Sequence, residues 1–196
     1  MTTERGIPVQ HPGAGEGDAE PGEVQWLSEE EREAWLCLSA VMFQLPGRLE
    51  HQLQRDAGLG FVEYMVLAVL SESPHQQLSM SELSAQTNTR LARLSRVVKR
   101  LEEDGYVQRQ TSPVDRRVSI CHLLSEGLRV LEAAAPGHVE QVRRTVFSKL
   151  SRRQVCQLAK IGEALLGGRP SDIVAAQLAQ GRTTAGLPGA GDAAAS

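Results

Sequence analysis

The segment TNTRLARLSRVVKRLEEDGYVQRQTSPVDRRVSI, from Thr87 to Ile120, concentrates positive charge in a chain that is slightly acidic overall. It holds eight Lys or Arg residues, whereas the 196-residue chain has a formal net charge of −3. A helix is predicted up to about Asp104, capped by Asn88 or Thr89 and ended by Gly105. Two β-prone runs, YVQRQ and RRVSICH, follow it and are joined by a turn at TSPVD. The pattern therefore predicts a basic helix and a two-stranded hairpin.

The predicted helix separates apolar from charged residues. Its apolar side, expected in the core, consists of Leu91, Leu94, Val97, Val98 and Leu101. The opposite side and its flank combine Ala92 with Arg93, Arg96, Lys99, Arg100 and Glu103. The major groove of DNA accommodates one helix, in which arginine pairs with guanine and both cations neutralise phosphates. A solvated helix with i,i+3 and i,i+4 charge pairs is the alternative, and the helix alone does not distinguish the two.

The hairpin favours the DNA-binding interpretation. Arg109, Arg116 and Arg117 lie on its strands or beside its tip, where arginine is a poor choice for turn formation. A ribbon next to a DNA-reading helix can follow the backbone and place an arginine in the minor groove. Phosphate repels Asp115, so we expect this carboxylate to orient a neighbouring arginine by a bidentate pair. An edge hairpin with solubilising charges is the alternative.

Helices are predicted on both sides of this segment. The run FVEYMVLAVL is predicted as a buried helix, and Ser79 with Glu82 forms a capping box that opens a short helix ending near Thr87. These elements complete a helix-turn-helix. A long helix is predicted from about Ser125 to Leu150, strained by Pro136-Gly137, and two further capping boxes, Ser28 with Glu31 and Ser151 with Gln154, open the first and last helices. Pro46-Gly47 is expected to kink or interrupt the first helix.

The two ends of the chain differ from the middle in composition. Residues 1–33 carry nine acidic and two basic side chains, so an acidic leader precedes a basic body. Residues 1–24 are predicted to be a disordered leader and residues 168–196 a Gly/Ala-rich flexible tail. A single domain is therefore expected over residues 25–167.

Composition argues against several function classes. Three separated cysteines form no disulfide framework, and neither a signal peptide nor a membrane span is recognisable, so we expect a cytoplasmic protein without membrane contact. The five histidines show no metal-ligand spacing with cysteine or carboxylate. Phosphate loops, nucleophile elbows and paired catalytic carboxylates are also missing, so we predict neither an enzyme nor a bound cofactor.

The stretch MSELSAQTNTRLARLSRVVKRLEEDGYVQRQTSPVDRRVSICHLLSEG resembles the winged helix-turn-helix core of MarR-type transcriptional regulators. The match rests on the short helix, the basic helix, the DRR of the wing and HLLSEG, where the family tends to have LTxxG. The resemblance implies a mainly α (α+β) fold, with a winged helix-turn-helix at about 58–122 and dimerisation helices at about 26–55 and 125–166. Leu124 replaces the family's usual capping threonine, and Ser125 is expected to take over this cap.

The resemblance also implies a homodimer with two winged domains in successive major grooves of a pseudo-palindromic operator. The candidate interface residues are Trp35, Leu38, Met42, Val142, Val146, Leu158, Ile161 and Leu165. Apolar stripes at both ends exceed what one small winged domain could cover, although packing within one chain is the alternative. We therefore predict a sequence-specific transcriptional regulator, and we favour a repressor over an activator. A non-specific architectural DNA-binding protein and a protein-interaction adaptor are the alternatives.

The candidate DNA-binding residues lie in two groups. The recognition-helix group is Arg90, Arg93, Ser95, Arg96, Lys99 and Arg100, and the wing group is Arg109, Asp115, Arg116 and Arg117. Arg93 and Arg96 are expected at base edges, Lys99 and Arg100 at phosphates, and Arg116 or Arg117 in the minor groove.

Two kinds of sensing are known in such proteins. A small aromatic or phenolic ligand is expected, if one binds, near the apolar side of FVEYMVLAVL with Arg48 and His51 nearby. Cys37 lies roughly where peroxide-sensing relatives place a redox thiol. Those relatives surround the sulfur with tyrosines, whereas the two tyrosines of this chain, Tyr64 and Tyr106, lie outside that helix. A buried, inert Cys37 is therefore favoured over a redox role.

Overall fold

The computed structural model describes residues 24–169. The predicted acidic leader and Gly/Ala-rich tail thus fall almost entirely outside the described residues. The helices are α1 (Glu29–Ala57), α2 (Phe61–Glu72), α3 (Met80–Gln86), α4 (Leu91–Glu103), α5 (Ser125–Thr145) and α6 (Arg152–Leu166). The strands are β1 (Gln77–Ser79), β2 (Val107–Thr111) and β3 (Ser119–Leu123). By its internal contacts the chain divides into two units after Ala40.

The three predicted capping boxes are present, because each depends only on residues three apart. The Ser28 amide donates to the Glu31 carboxylate at 2.8 Å, and the Glu31 amide donates to the Ser28 hydroxyl at 3.2 Å. The boxes that open α3 and α6 have the same reciprocal geometry. Pro46 was expected to kink or interrupt the first helix, and the interruption is wrong, since α1 continues through it. A proline removes a single backbone donor, and the hydrogen bonds of adjacent turns can carry the helix past it.

The core of the second unit lies where α2, α3, α4, α5 and the sheet meet. The prediction that FVEYMVLAVL is a buried helix is confirmed, and Val66, Leu67 and Leu70 are fully buried. Leu94, Val98 and Leu101 of α4 are also fully buried, as expected. The prediction that Leu91 belongs to the core is wrong, because this residue lies in the first turn of α4 and is 51% exposed.

The sheet has three antiparallel strands in the order β1-β3-β2, rather than the predicted two. Strand β1 pairs Leu78 with Cys121 of β3. Three residues carry too little alternation to be recognised as a strand, and Ser79 also caps α3. Because β3 begins only at Ser119, Arg116 and Arg117 belong to the turn and not to a strand.

Several predicted helix ends are corrected. The N-cap of α4 is Arg90, without a side-chain hydrogen bond, whereas Asn88 has a left-handed backbone and the Thr89 hydroxyl donates to the Thr87 carbonyl. Ser125 does not cap α5 either, because it is already the first helical residue after Leu124.

The long helix predicted to reach Leu150 ends at Thr145 and is followed by a 3-10 turn at Phe147–Lys149. The glycine of HLLSEG has a packing role at the start of this helix. A β-carbon at Gly127 would overlap the carbonyl oxygen of Tyr106, which accepts a hydrogen bond from the Leu124 amide. This close approach holds α5 against the end of the turn that follows α4.

Candidate nucleic-acid interface

The turn between α3 and α4 fixes how α4 is presented. The Ser84 hydroxyl donates to the Thr89 carbonyl at 2.7 Å, and the Thr89 amide donates to the Ser84 carbonyl at 3.1 Å. The Thr87 hydroxyl donates to the Leu83 carbonyl at 2.7 Å, and Leu83 is fully buried. The turn is therefore braced against the core by short polar contacts. This is the geometry of a helix-turn-helix, in which the first helix supports the second.

Burial of one side of α4 leaves its cations at the surface. Arg90, Arg93, Arg96, Lys99 and Arg100 are all exposed, and Ser95 is half-buried among them. Arg93, Arg96 and Arg100 line one shallow depression together with Glu63 and Val97. A row of guanidinium groups on an exposed helix has the charge and reach to contact phosphates and base edges in a major groove.

Arg100 differs from the other cations of α4 because its acidic partner lies in another helix. Its Nε lies 3.3 Å from Oε1 of Glu63, a largely buried carboxylate of α2. The other carboxylate oxygen of Glu63 accepts a hydrogen bond from the Gly60 amide at 2.6 Å. The recognition helix is thereby tied to the N-terminus of α2. Sequence spacing gave no indication of this pair, because the two residues are 37 positions apart.

The tip of the β2–β3 hairpin, residues 112–118, is closed by its own polar groups. The amides of Val114 and Asp115 donate to the Ser112 hydroxyl, and the Ser112 amide donates to the Val118 carbonyl. The expected bidentate pair of Asp115 is wrong in geometry, since one oxygen, Oδ1, accepts from both the amide and the Nε of Arg117. The Arg117 amide, followed by its side chain, holds the pKa of Asp115 below its usual range.

These contacts leave the arginines of the tip directed to solvent. Arg116 is exposed and has no ion-pair partner among residues 24–169. Arg117 is 92% exposed although its Nε lies 3.4 Å from Asp115. The Ser112 hydroxyl that organises the tip was not singled out from sequence, where it was counted only as a turn former.

Arg109 is placed differently from the other arginines of the hairpin. Its guanidinium donates through Nε and an Nη to Oε2 of Glu102 in α4, at 2.9 and 2.7 Å. Its backbone amide donates to Oε1 of the same carboxylate at 2.8 Å. These bonds, first the amide and then the side chain, lower the pKa of Glu102. Glu102 was missed in the sequence, although the opposite charges flanking the Gly105 turn were a usable signal.

The cysteines offer little support for redox chemistry in the described residues. Burial raises the pKa of the Cys121 thiol to about 12, so this group stays protonated at neutral pH. Cys156 is exposed on α6. The expectation that Cys37 is buried is wrong, because it is exposed together with nearly all of residues 24–40, a helical segment too small to form a core of its own.

Residues 24–169 assemble no group of three or more His, Cys, Asp or Glu side chains able to hold a metal ion. No helix in the same range combines the length and the apolar character that a membrane crossing requires.

Comparison with known proteins places this arrangement in a family. The MarR family profile matches residues 57–118, which include α2, the helix-turn-helix and most of the wing. Sco3205, a MarR family transcriptional regulator from Streptomyces coelicolor solved in complex with DNA, is 39% identical, with a TM-score of 0.70, over 74% of this chain and 91% of its own. The chain belongs to the MarR family. MarR-family members are transcriptional regulators and not enzymes.

Curated relatives extend over less of this MarR-family protein. PapX of Escherichia coli, an HTH-type transcriptional regulator, is 38% identical over 95 residues, which cover 45% of this chain and 58% of PapX. YetL of Bacillus subtilis, an HTH-type transcriptional repressor, is 28% identical over 110 residues, which cover 55% of this chain and 66% of YetL. The chain thus matches less than two thirds of the length of either relative.

Proposed function

We propose that this MarR-family protein is a homodimer that binds a pseudo-palindromic operator in duplex DNA and represses transcription. The observation that carries the proposal is that the cations of α4 and the arginines of the wing tip are all exposed. In this arrangement Arg93 and Arg96 read base edges, with Arg90 at the start of the helix. Lys99 contacts phosphate, and Arg116 or Arg117 enters the minor groove. Sco3205, solved with DNA, and YetL, a repressor by name, support this function.

Exposed apolar residues at both ends of the described chain support the dimer. Trp35, Leu38 and Met42 of α1 and Leu158, Ile161 and Leu165 of α6 are all exposed in the single chain. A contact between two copies of the chain would remove such side chains from water. Val142 and Val146 are half-buried and contribute less to this surface.

The test of this function is selection from a random duplex library with the purified full chain. A two-fold motif with half-site centres about 10 bp apart is expected. The affinity ratio between the selected motif and random DNA should reach ~10³ or more, because a regulator must find its site among many competitors. Recovery of DNA without a motif would favour the architectural alternative. Failure to retain any DNA would favour the adaptor and contradict the proposal.

We further propose that a small anionic ligand modulates DNA binding. A cleft of about 390 Å³ between α1 and α5 is lined by Arg48, His51, Arg55 and Arg144, together with Gln44, Gly47, Gln52 and Gln141. Arg55 is already paired with Asp56, whereas within residues 24–169 the side chains of Arg48 and Arg144 hydrogen-bond to glutamines, Gln44 and Gln141, and to no carboxylate. The buried Gln52 has an Oε1 atom that finds no hydrogen-bond partner in the part of the chain that the structure describes. These groups suit a carboxylate that also carries a hydrogen-bond donor.

The apolar side of α2 does not line this cleft, contrary to the sequence-based expectation. The apolar side chains of α2 pack in the core. Of the residues expected at a ligand site, only Arg48 and His51 line the cleft. The ligand is therefore expected to be held more by charge than by apolar contact.

A hydroxybenzoate is expected to bind more tightly than benzoate, and benzoate more tightly than phenol, in a titration calorimeter. Arg144→Ala should weaken the hydroxybenzoate by about ten- to a hundredfold, the value of one charged hydrogen bond. Arg143→Ala is the matched control, because Arg143 is exposed on the same helix and does not line the cleft. Equal losses in both variants, or tighter binding of phenol, would contradict an anion site.

A further inference from the structure

The carboxylate of Glu102 joins the recognition helix to the wing. Glu102 lies in the last turn of α4, and Arg109 lies in the middle of β2. The carboxylate accepts from the Arg109 backbone amide at 2.8 Å and from its guanidinium at 2.9 and 2.7 Å. Both side chains are about two-thirds buried, with 32% and 30% exposure. One carboxylate thus satisfies a main-chain and a side-chain donor of the same residue.

This contact bridges the short turn between the recognition helix and the hairpin. Only Asp104, Gly105 and Tyr106 connect α4 to β2, and Gly105 has a left-handed backbone with φ of 75°. Backbone hydrogen bonds close this turn, including one from the Tyr106 amide to the Leu101 carbonyl at 2.8 Å, but they end where β2 begins. Arg109 also pairs in register with Cys121 of the central strand β3. The bonds from Glu102 of α4 therefore hold the hairpin at the middle of its first strand, β2, seven residues further along the chain.

The same contact removes Arg109 from the set of free cations. The Arg109 guanidinium donates two of its hydrogen bonds to Glu102, and the negative charge of Glu102 offsets the positive charge of Arg109. Arg116, at the exposed tip of the same hairpin, keeps its donors available. The two arginines therefore differ in what they can offer to a phosphate, although the sequence suggested the same role for both.

We propose that Glu102 and Arg109 are positioning residues that set the angle of the wing relative to α4, so that recognition helix and wing tip engage DNA together. This inference rests on the proposed DNA-binding function. In this role Arg109 acts through Glu102 and the wing, and it makes no phosphate contact of its own.

The decisive variant is Glu102→Gln, which keeps the size of the side chain and one carbonyl oxygen for the Arg109 amide but removes the charge. Operator affinity is expected to fall by about tenfold, within the range for coupled contact pairs. Affinity for random DNA should change much less, because the cations of α4 and the wing tip remain. In a hydroxyl-radical footprint, which reports sugars at the minor groove, protection by the wing should weaken. Protection of guanine N7 in the major groove from dimethyl sulfate, which reports α4, should persist.

A matched control exists on the same helix. Glu103 pairs with Lys99 at 3.5 Å, but both side chains are highly exposed and both belong to α4, so this pair links nothing to the wing. Glu103→Gln should therefore leave the footprint and the operator affinity of the wild type unchanged or slightly improved. Unfolding curves for both variants establish that the comparison is made between folded proteins.

Arg109→Gln distinguishes a positioning role from direct contact with DNA. If the two residues act as one link, the double variant Glu102→Gln/Arg109→Gln should bind like either single variant. A direct phosphate contact would instead make Arg109→Gln weaken all sequences and lower the salt slope by about 1, with Glu102→Gln neutral. Either that pattern or an unchanged footprint in Glu102→Gln would overturn the inference. If the wild-type protein retained no DNA at all, the proposed DNA-binding function itself would fail.

Discussion

Replacing Ile161 with aspartate is expected to leave the protein monomeric and to lower its affinity for the operator by about 10²–10⁴-fold, the gain that linkage of two binding modules provides. Ile161 is 55% exposed on α6, and Leu158 and Leu165 are exposed on the same apolar side. A carboxylate placed in that contact would lose its water without gaining a partner. Each winged domain would then bind one half-site alone. Sedimentation and operator titration measure the two consequences separately.

Lys160→Asp is the control for charge. Lys160 is exposed and lies on the side of α6 opposite Leu158 and Leu165, so its replacement changes the charge even more without touching the apolar side. This variant should remain a dimer. An Ile161→Asp protein that stayed dimeric with full operator affinity would show that α6 takes no part in the dimer. A monomer that kept full affinity would show that a single winged domain suffices.

Local features of this fold could be predicted from the sequence because their causes are local. The capping boxes at Ser28, Ser79 and Ser151 require only two residues three positions apart, and each opens a helix. The apolar period of α4 likewise placed Leu94 and Val98 in the core. The helix-turn-helix and wing follow from such signals, which is why the family was recognisable before the structure.

Features that depend on distant partners could not be predicted in the same way. β1 exists because Leu78 is adjacent to Cys121, some forty residues later, and its own three residues carry no strand signal. The positive charges could be located in the sequence, but their carboxylate partners could not be predicted from it. Arg100 is paired with Glu63, and Arg109 is paired with Glu102. These two arginines therefore differ from exposed arginines such as Arg96 and Arg116, although all four looked alike in the sequence. The cleft between α1 and α5 could not be predicted for a related reason, since the apolar side chains of α2 pack into the core and none of them lines this cleft.

Arg96→Ala is expected to cost about 1–3 kcal/mol on the operator and to relax the preference at one base pair in each half-site. Arg96 is exposed in the middle of α4, and no salt bridge to another described residue engages it. Its donors are therefore free to pair with a guanine edge, as a bidentate arginine does in the major groove. Titration of the selected operator and of single-base variants measures both the loss and the relaxation.

Lys99→Ala provides the contrast that separates base reading from phosphate binding. Lys99 is also exposed on α4 and carries the same charge, but an ammonium group on a flexible chain discriminates bases poorly. Its loss should weaken specific and random DNA about equally and reduce the salt slope by about 1. If Arg96→Ala instead behaved like Lys99→Ala, α4 would contact the backbone only and the architectural alternative would gain. If both variants bound the operator like the wild type, α4 would not be the recognition helix, and the wing would have to supply the specificity.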